Sequence, residues 1–355
     1  MNFQRLLQLL FFAAVFTSCS SDDPVDPNAD EAYYDGVFVL NEGNFGSGNA
    51  TVSFVENGTN EVSHRIFKNA NSGANLGDTA QDLALNEQLA FVVLNASNKI
   101  EVVNRYTFET VATISEGLEN PRKIAFLDGK AYVSNWGDGT DPADDFVAVY
   151  NAETFELEQQ IPVAEGPDAI AAEGSKIYVA HSGGWSFNNI VSVIDSEAAE
   201  VGQTIEVGDV PVSLVLENGN LWVLSSGLPD YAEAGESLGS LSKINLASLQ
   251  EEQELEIQGH PANLKADNGS LYYTLDNGVY VFIPSEEKLP EMPFLELNDV
   301  RVLYGFNVFN SKVYAASANL DFTGNGRLFI YDLANSNTVT SFQTGINPNG
   351  IFLNE

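Results

Sequence analysis

From residue 36 onward the chain is a succession of short runs in which apolar and polar residues alternate, each closed by Gly, Asn, Asp or Pro. Residues 177–211 show the unit. A β-rich run ends at His181, and a Gly/Asn-rich loop leads to a strand over 190–195 with period-two alternation. A turn at 196–200 follows, then a strand over 202–207, and a Gly208…Pro211 break opens the next run at 212–216. Four short strands joined by turns predict an antiparallel meander rather than βαβ units.

The unit recurs. Its anchor is an aromatic in one apolar strand: Phe38, Phe91, Tyr132, Tyr178, Trp222, Tyr272 and Tyr314, spaced 41 to 53 residues apart. Alternating strands are predicted after the anchors at 52–56, 100–104, 147–151, 191–195, 241–245, 279–283 and 328–332. Pro121, Pro167, Pro211, Pro261 and Pro348 mark the breaks that follow. Seven copies at this period mean a propeller or solenoid, and period-two alternation without a convincing helix selects an all-β, seven-bladed β-propeller. The repeat begins at what is the second strand of the unit (36–41) and finishes on what is the first (348–353). The ring is therefore expected to close by pairing N- and C-terminal strands in one blade, which leaves no free edge.

Composition narrows the function. Fifteen Lys+Arg against 50 Asp+Glu give a net charge of −35, which repels nucleic acid and anionic membrane faces. The acidity serves solubility or the steering of cations and basic partners. Cys19 is the single cysteine, and His64, His181 and His260 follow no metal-ligand spacing.

Residues 1–18 form a secretory leader, with Arg5 ahead of an apolar run over 6–16 that is short for a bilayer span. Phe16-Thr17-Ser18-Cys19 resembles a lipoprotein signal-peptidase site, which implies that Cys19 becomes the lipidated N-terminus. Residues 19–35 are acidic and read as a flexible tether before the propeller of 36–355. The Ser-then-acidic run after Cys19 resembles the export signal of surface-exposed lipoproteins in Bacteroidota-type Gram-negatives, which implies an outer-membrane, outward-facing location; a plain spacer is the alternative.

With YVSN at 132–135, VSVID at 191–195 and the Gly208…Pro211 break, the chain resembles the YVTN-type β-propeller repeat family over essentially all of 36–355. That resemblance implies fold more than function, because the repeated residues build blades. The lipobox, the acidic run and the opening GVFVLNEGN also resemble the surface lipoprotein propellers that capture vitamin B12 beside TonB-dependent transporters.

In a propeller the loops of one face carry function. Those between anchor strand and alternating strand (41–50, 135–146, 181–189, 225–240 and 318–326) vary most and bring Phe45, Trp136, Trp185, Phe187, Tyr231 and Phe322 to one rim. Each aromatic is either a plug under its own loop or part of a shared binding surface. Such a surface suits a flat, apolar, polar-edged ligand, with Asn41, Asn135 and Asn188 as donors and acceptors. Arg122 is a rare base near that face, available to an anionic group or to a surface salt bridge. Asp138, Asp141, Asp144 and Asp145 share one loop and are either Ca²⁺ ligands or solvated turn acids. Asn319-x-Asp321-x-Thr323-Gly324 opens like an EF-hand loop but has Ile330 where a bidentate Glu is needed. No nucleophile elbow, H-E-x-x-H or cysteine nucleophile is present, so an enzyme is not expected; His181, His260 and Glu42 are the residues on which a lactonase or lyase would have to rest. The expectation is a surface-anchored propeller capturing a scarce nutrient, a corrinoid or a siderophore-type iron chelate, for a TonB-dependent transporter. A protein–protein or matrix interaction module is the alternative.

Overall fold

In most units the third strand ends in a side chain that builds the next turn. Oδ1 of Asn151 accepts from the backbone N–H of Glu153 and Thr154, and Oδ1 of Asp195 from Glu197 and Ala198; Asn104 and Asn245 do the same. This is the Asx turn, a short polar side chain standing in for a backbone carbonyl. The hairpins between the first and second strands use Asp128-Gly129, Asn218-Gly219 and Asn268-Gly269, all at positive φ, as right-twisted two-residue turns require.

The computed structural model describes residues 32–59, 61–334 and 337–355. The leader, Cys19 and the tether before residue 32 lie outside the described residues. The strands assemble into seven four-stranded antiparallel sheets. Blade 4 is typical: Pro167–Glu173 lies innermost, then Lys176–His181, Ile190–Asp195 and Glu200–Glu206. The inner strand of each blade contacts those of the blades before and after it, which closes the ring. Blade 1 takes its inner strand, Pro348–Asn354, from the C-terminus, paired with Gly36–Asn41 from Gly36↔Asn354 to Asn41↔Pro348. The predicted all-β, seven-bladed ring and its closure are both present.

The anchor strands are buried on both faces between neighbouring blades, which explains their unbroken apolar runs. None of the seven anchor aromatics is more than 8% exposed. Outer strands such as Glu200–Glu206 alternate exposed and half-buried positions. Two features depart from the repeat. A short helix, Ile66–Ala70, which alternation did not predict, buries Ile66 and Phe67 after blade 1. Tyr33, in the segment expected as tether, packs edge-on against Phe54 and Phe108.

Candidate ligand-binding site

The loops after the anchor strands and the joints between blades share one face, because they hydrogen-bond to each other: Ser182 N–H to Gly166 O, Ser226 N–H to Val210 O, and Glu42 N–H to Asn347 O. On this face the six predicted aromatics fall into two arcs.

The first arc runs across blades 3, 4 and 5. The Arg122 guanidinium lies 3.9 Å from the Trp136 ring centroid and reaches Asp168 at 3.3 Å. Trp136 donates its Nε1–H to Pro167 O at 3.0 Å, which fixes the indole between the loops. Trp185 meets Trp136 edge-on, with centroids 6.4 Å apart, and is 79% exposed. Phe187 then lies 6.3 Å from Tyr231, which is also 79% exposed. The second arc joins blades 7 and 1. Tyr304 packs edge-on against Phe322 and donates its hydroxyl to Glu42 at 2.5 Å. Asn44 donates to Phe322 O, which ties this arc to the loop carrying Phe45, 83% exposed.

Three of the expected ligand contacts prove to be braces. Asn41 is buried, and its amide donates to Val39 O, Thr51 O and Ser53 Oγ while its Oδ1 accepts from Gly345. Asn135, also buried, donates to Val133 O and accepts from Glu119 N–H. Half-buried Asn188 donates to Glu165 O and accepts from Asn189 N–H. These amides hold the loop joints, and Asn41 and Asn135 are sealed from solvent as well. Arg122 is likewise engaged, by an acid and a ring together.

His181 is fully buried at the position that Asn41 and Asn135 hold in their own blades. Its Nε2 faces Ser192 Oγ at 2.9 Å, and burial pushes its pKa down to about 4. His260 lies 3.1 Å from Glu236 on the exposed surface, and Glu42 is raised by burial and occupied by Tyr304. These three groups do not form an acid–base pair.

The acidic loop of blade 3 folds around its own amides. Asp138 Oδ1 accepts from Thr140, Asp141 Oδ1 from Ala143 N–H, Asp144 Oδ2 from Asp138 N–H, and Asp145 Oδ2 from Gly166 N–H. Burial raises Asp145 to about 6. Among the described residues no three acidic, His or Cys side chains gather closely enough to hold a metal ion. Asp321, in the EF-hand-like stretch, accepts from the N–H groups of Thr323 and Gly324.

Inner strands of blades 2, 3 and 6 bring charged side chains together around the central channel. There Lys123 donates to Gln81 O at 2.7 Å and lies 4.0 Å from Asp82 Oδ1. Lys265 is held below the usual lysine range, by burial first and by the charge of Lys123 second. Their only sequence signal is a lysine within an inner-strand run, as in PRKIAFL and ANLKAD.

Solved structures resemble the chain in fold. A computationally designed protein, Ika8, superposes with a TM-score of 0.59 at 10% identity, covering 92% of both chains. Hydrazine synthase of Kuenenia stuttgartiensis gives 0.58 at 17% identity, over 74% of this chain and 85% of its own. The dihydro-heme d1 dehydrogenase NirN in complex with DHE gives 0.56 at 14% identity, over 90% and 75%. No curated protein matches the sequence significantly. A family model described as a domain of unknown function, DUF5074, matches residues 35–296, well over half of the chain, and the protein belongs to that family.

Proposed function

We propose that this protein is a cell-surface capture module. It is anchored through Cys19, binds a flat, largely apolar ligand with polar edges on its loop face, and passes that ligand to a TonB-dependent outer-membrane transporter. A corrinoid or a ferric chelate is the ligand class. The observation that carries the reading is the exposure of Phe45, Trp185 and Tyr231, each about four-fifths accessible, on the loop face. Large rings held in water mark an interaction site, and an aromatic of this kind contributes about 1.4 kcal/mol or more when a partner covers it.

Binding is favoured over a lactonase or lyase because the groups that would transfer protons are occupied: His181 by Ser192, Glu42 by Tyr304 and His260 by Glu236. The enzymes among the structural neighbours do not alter this, since the likeness is one of fold. The resemblance of the N-terminus and the blade pattern to vitamin B12-capturing propellers supports the ligand class and the transporter. Exposed Trp and Tyr are also the residues that dominate protein interfaces, which keeps a protein-binding module as the second reading.

The test is calorimetric and spectral titration of the purified protein against cobamides and ferric siderophores. Saturable micromolar binding of one class supports capture. Failure across the panel, with a cell-surface protein retained in pull-downs, replaces it with the interaction module.

A further inference from the structure

Blade 1 has almost no outer strand. Val62–Ser63 pairs only Val55 and Phe54 of the third strand, so among the described residues no strand flanks the outer edge at Thr51, Val52 and Ser53. The chain instead detours through His64, Arg65 and the helix Ile66–Ala70, and returns past Asn75 and Leu76. The end of blade 7's outer strand, at Gln343, Thr344 and Ile346, forms the opposite wall. Between them lies a cleft of about 630 Å³, within the range of small-molecule sites.

The chemistry of the cleft is opposite to that of the molecule. Its lining includes His64, Arg65 and Lys68 and not one Asp or Glu, although acids outnumber Lys and Arg by 50 to 15 in the chain. Neither Arg65 nor Lys68 forms an ion pair among the described residues. Lys68 is held by Asn75 at 3.2 Å, and His64 Nδ1 lies 3.3 Å from Ser53 Oγ. Ser47, Thr51, Gln343 and Thr344 supply hydroxyl and amide groups, while Phe67 and Leu76 give an apolar floor. In a strongly acidic protein, unpaired cations in a concave polar site are a focus of positive potential.

We infer that this cleft, which borders the 41–50 loop but is lined by none of the six rim aromatics, is a second binding site for a small hydroxylated anion of the sugar phosphate or sugar acid class. Arg65 and Lys68 meet the anionic group, and the hydroxyl and amide side chains meet the ligand's hydroxyls.

Calorimetry of the protein with glucose-6-phosphate, glucuronate and glucose tests this. At least one anionic sugar is expected to bind with Kd below about 1 mM, and glucose is not. Binding of the phosphate alone or of the carboxylate alone supports the site and names its anion. Arg65→Ala/Lys68→Ala should weaken binding by about tenfold or more, and Lys68→Glu should do the same. All three replacements are of exposed side chains and should leave the melting temperature unchanged. Trp185→Ala should leave anion binding intact. The inference is overturned if neither anion saturates the protein, if glucose binds equally well, if both cation variants bind like wild type, or if Trp185→Ala abolishes the binding.

Discussion

Trp185 of blade 4 lies over Gly139 of blade 3 so closely that a Cβ at position 139 would stand 2.2 Å from the indole Nε1. The φ of Gly139 is not positive, so its backbone accepts alanine and only the contact forbids one. Gly139→Ala should therefore displace Trp185 with little cost to folding, within about 0.5 kcal/mol. A shift in tryptophan emission with an unchanged melting temperature is the expected result, accompanied by weaker ligand binding at the loop face.

Acid stability should reflect two opposed groups. His181 has its folded pKa lowered from 6.5 to about 4, so its contribution is present above 6.5 and is lost as pH falls toward 4, on the order of 3 kcal/mol. Asp145 is raised from 3.8 to about 6, so its contribution is present below 3.8 and is lost as pH rises through 6. The windows overlap with opposite sign. His181→Asn, which installs the residue found at the matching position of blades 1 and 3, should give a protein that gains stability between pH 6 and 4. Asp145→Asn should give one that loses it more steeply than wild type. Denaturant melts across this range distinguish the two.

Tyr304→Phe removes the hydroxyl that donates to Glu42 at 2.5 Å. A half-buried carboxylate that loses a donor should cost about 1–2 kcal/mol. Burial raises the pKa of Glu42 and this hydrogen bond opposes the rise, so the penalty should be larger near neutral pH than in acid, where the carboxyl is protonated. An equal penalty at both pH values would contradict that electrostatic origin.

Deleting Pro348–Asn354 strips blade 1 of its inner strand and separates Arg105 from Asn354, which it holds at 2.5 Å. A closed ring has no other way to cover that edge, so the truncated protein should melt far below the full-length chain or aggregate. Equal melting temperatures would contradict the closure.

The blades were legible because their signals are local. An aromatic such as Trp222 sits in a strand buried on both sides, and its apolar run and following turn residues are visible without any long-range contact. The rim aromatics were legible too, because Trp185 and Tyr231 stand in Gly-rich loops that cannot bury them. The roles of Asn41 and Asn135 were not, since a loop-edge asparagine looks alike in sequence whether its amide faces solvent or the neighbouring carbonyls. The pairing of Lys123 with Asp82, and the approach of Lys265 to both, needed ring closure, which brings strands from blades 2, 3 and 6 around one channel. The cationic cleft depended on a missing strand, and an absent partner leaves no residue pattern of its own.

The most direct test of the aromatic rim as the binding site is a titration of wild type and Trp185→Ala/Tyr231→Ala with a cobamide, or with whichever ferric chelate the wild type binds. Both side chains are 79% exposed, so folding should be unaffected. The double variant should bind at least about a hundredfold more weakly, about 1.4 kcal/mol for each ring. Undiminished affinity in a folded double variant would contradict the account.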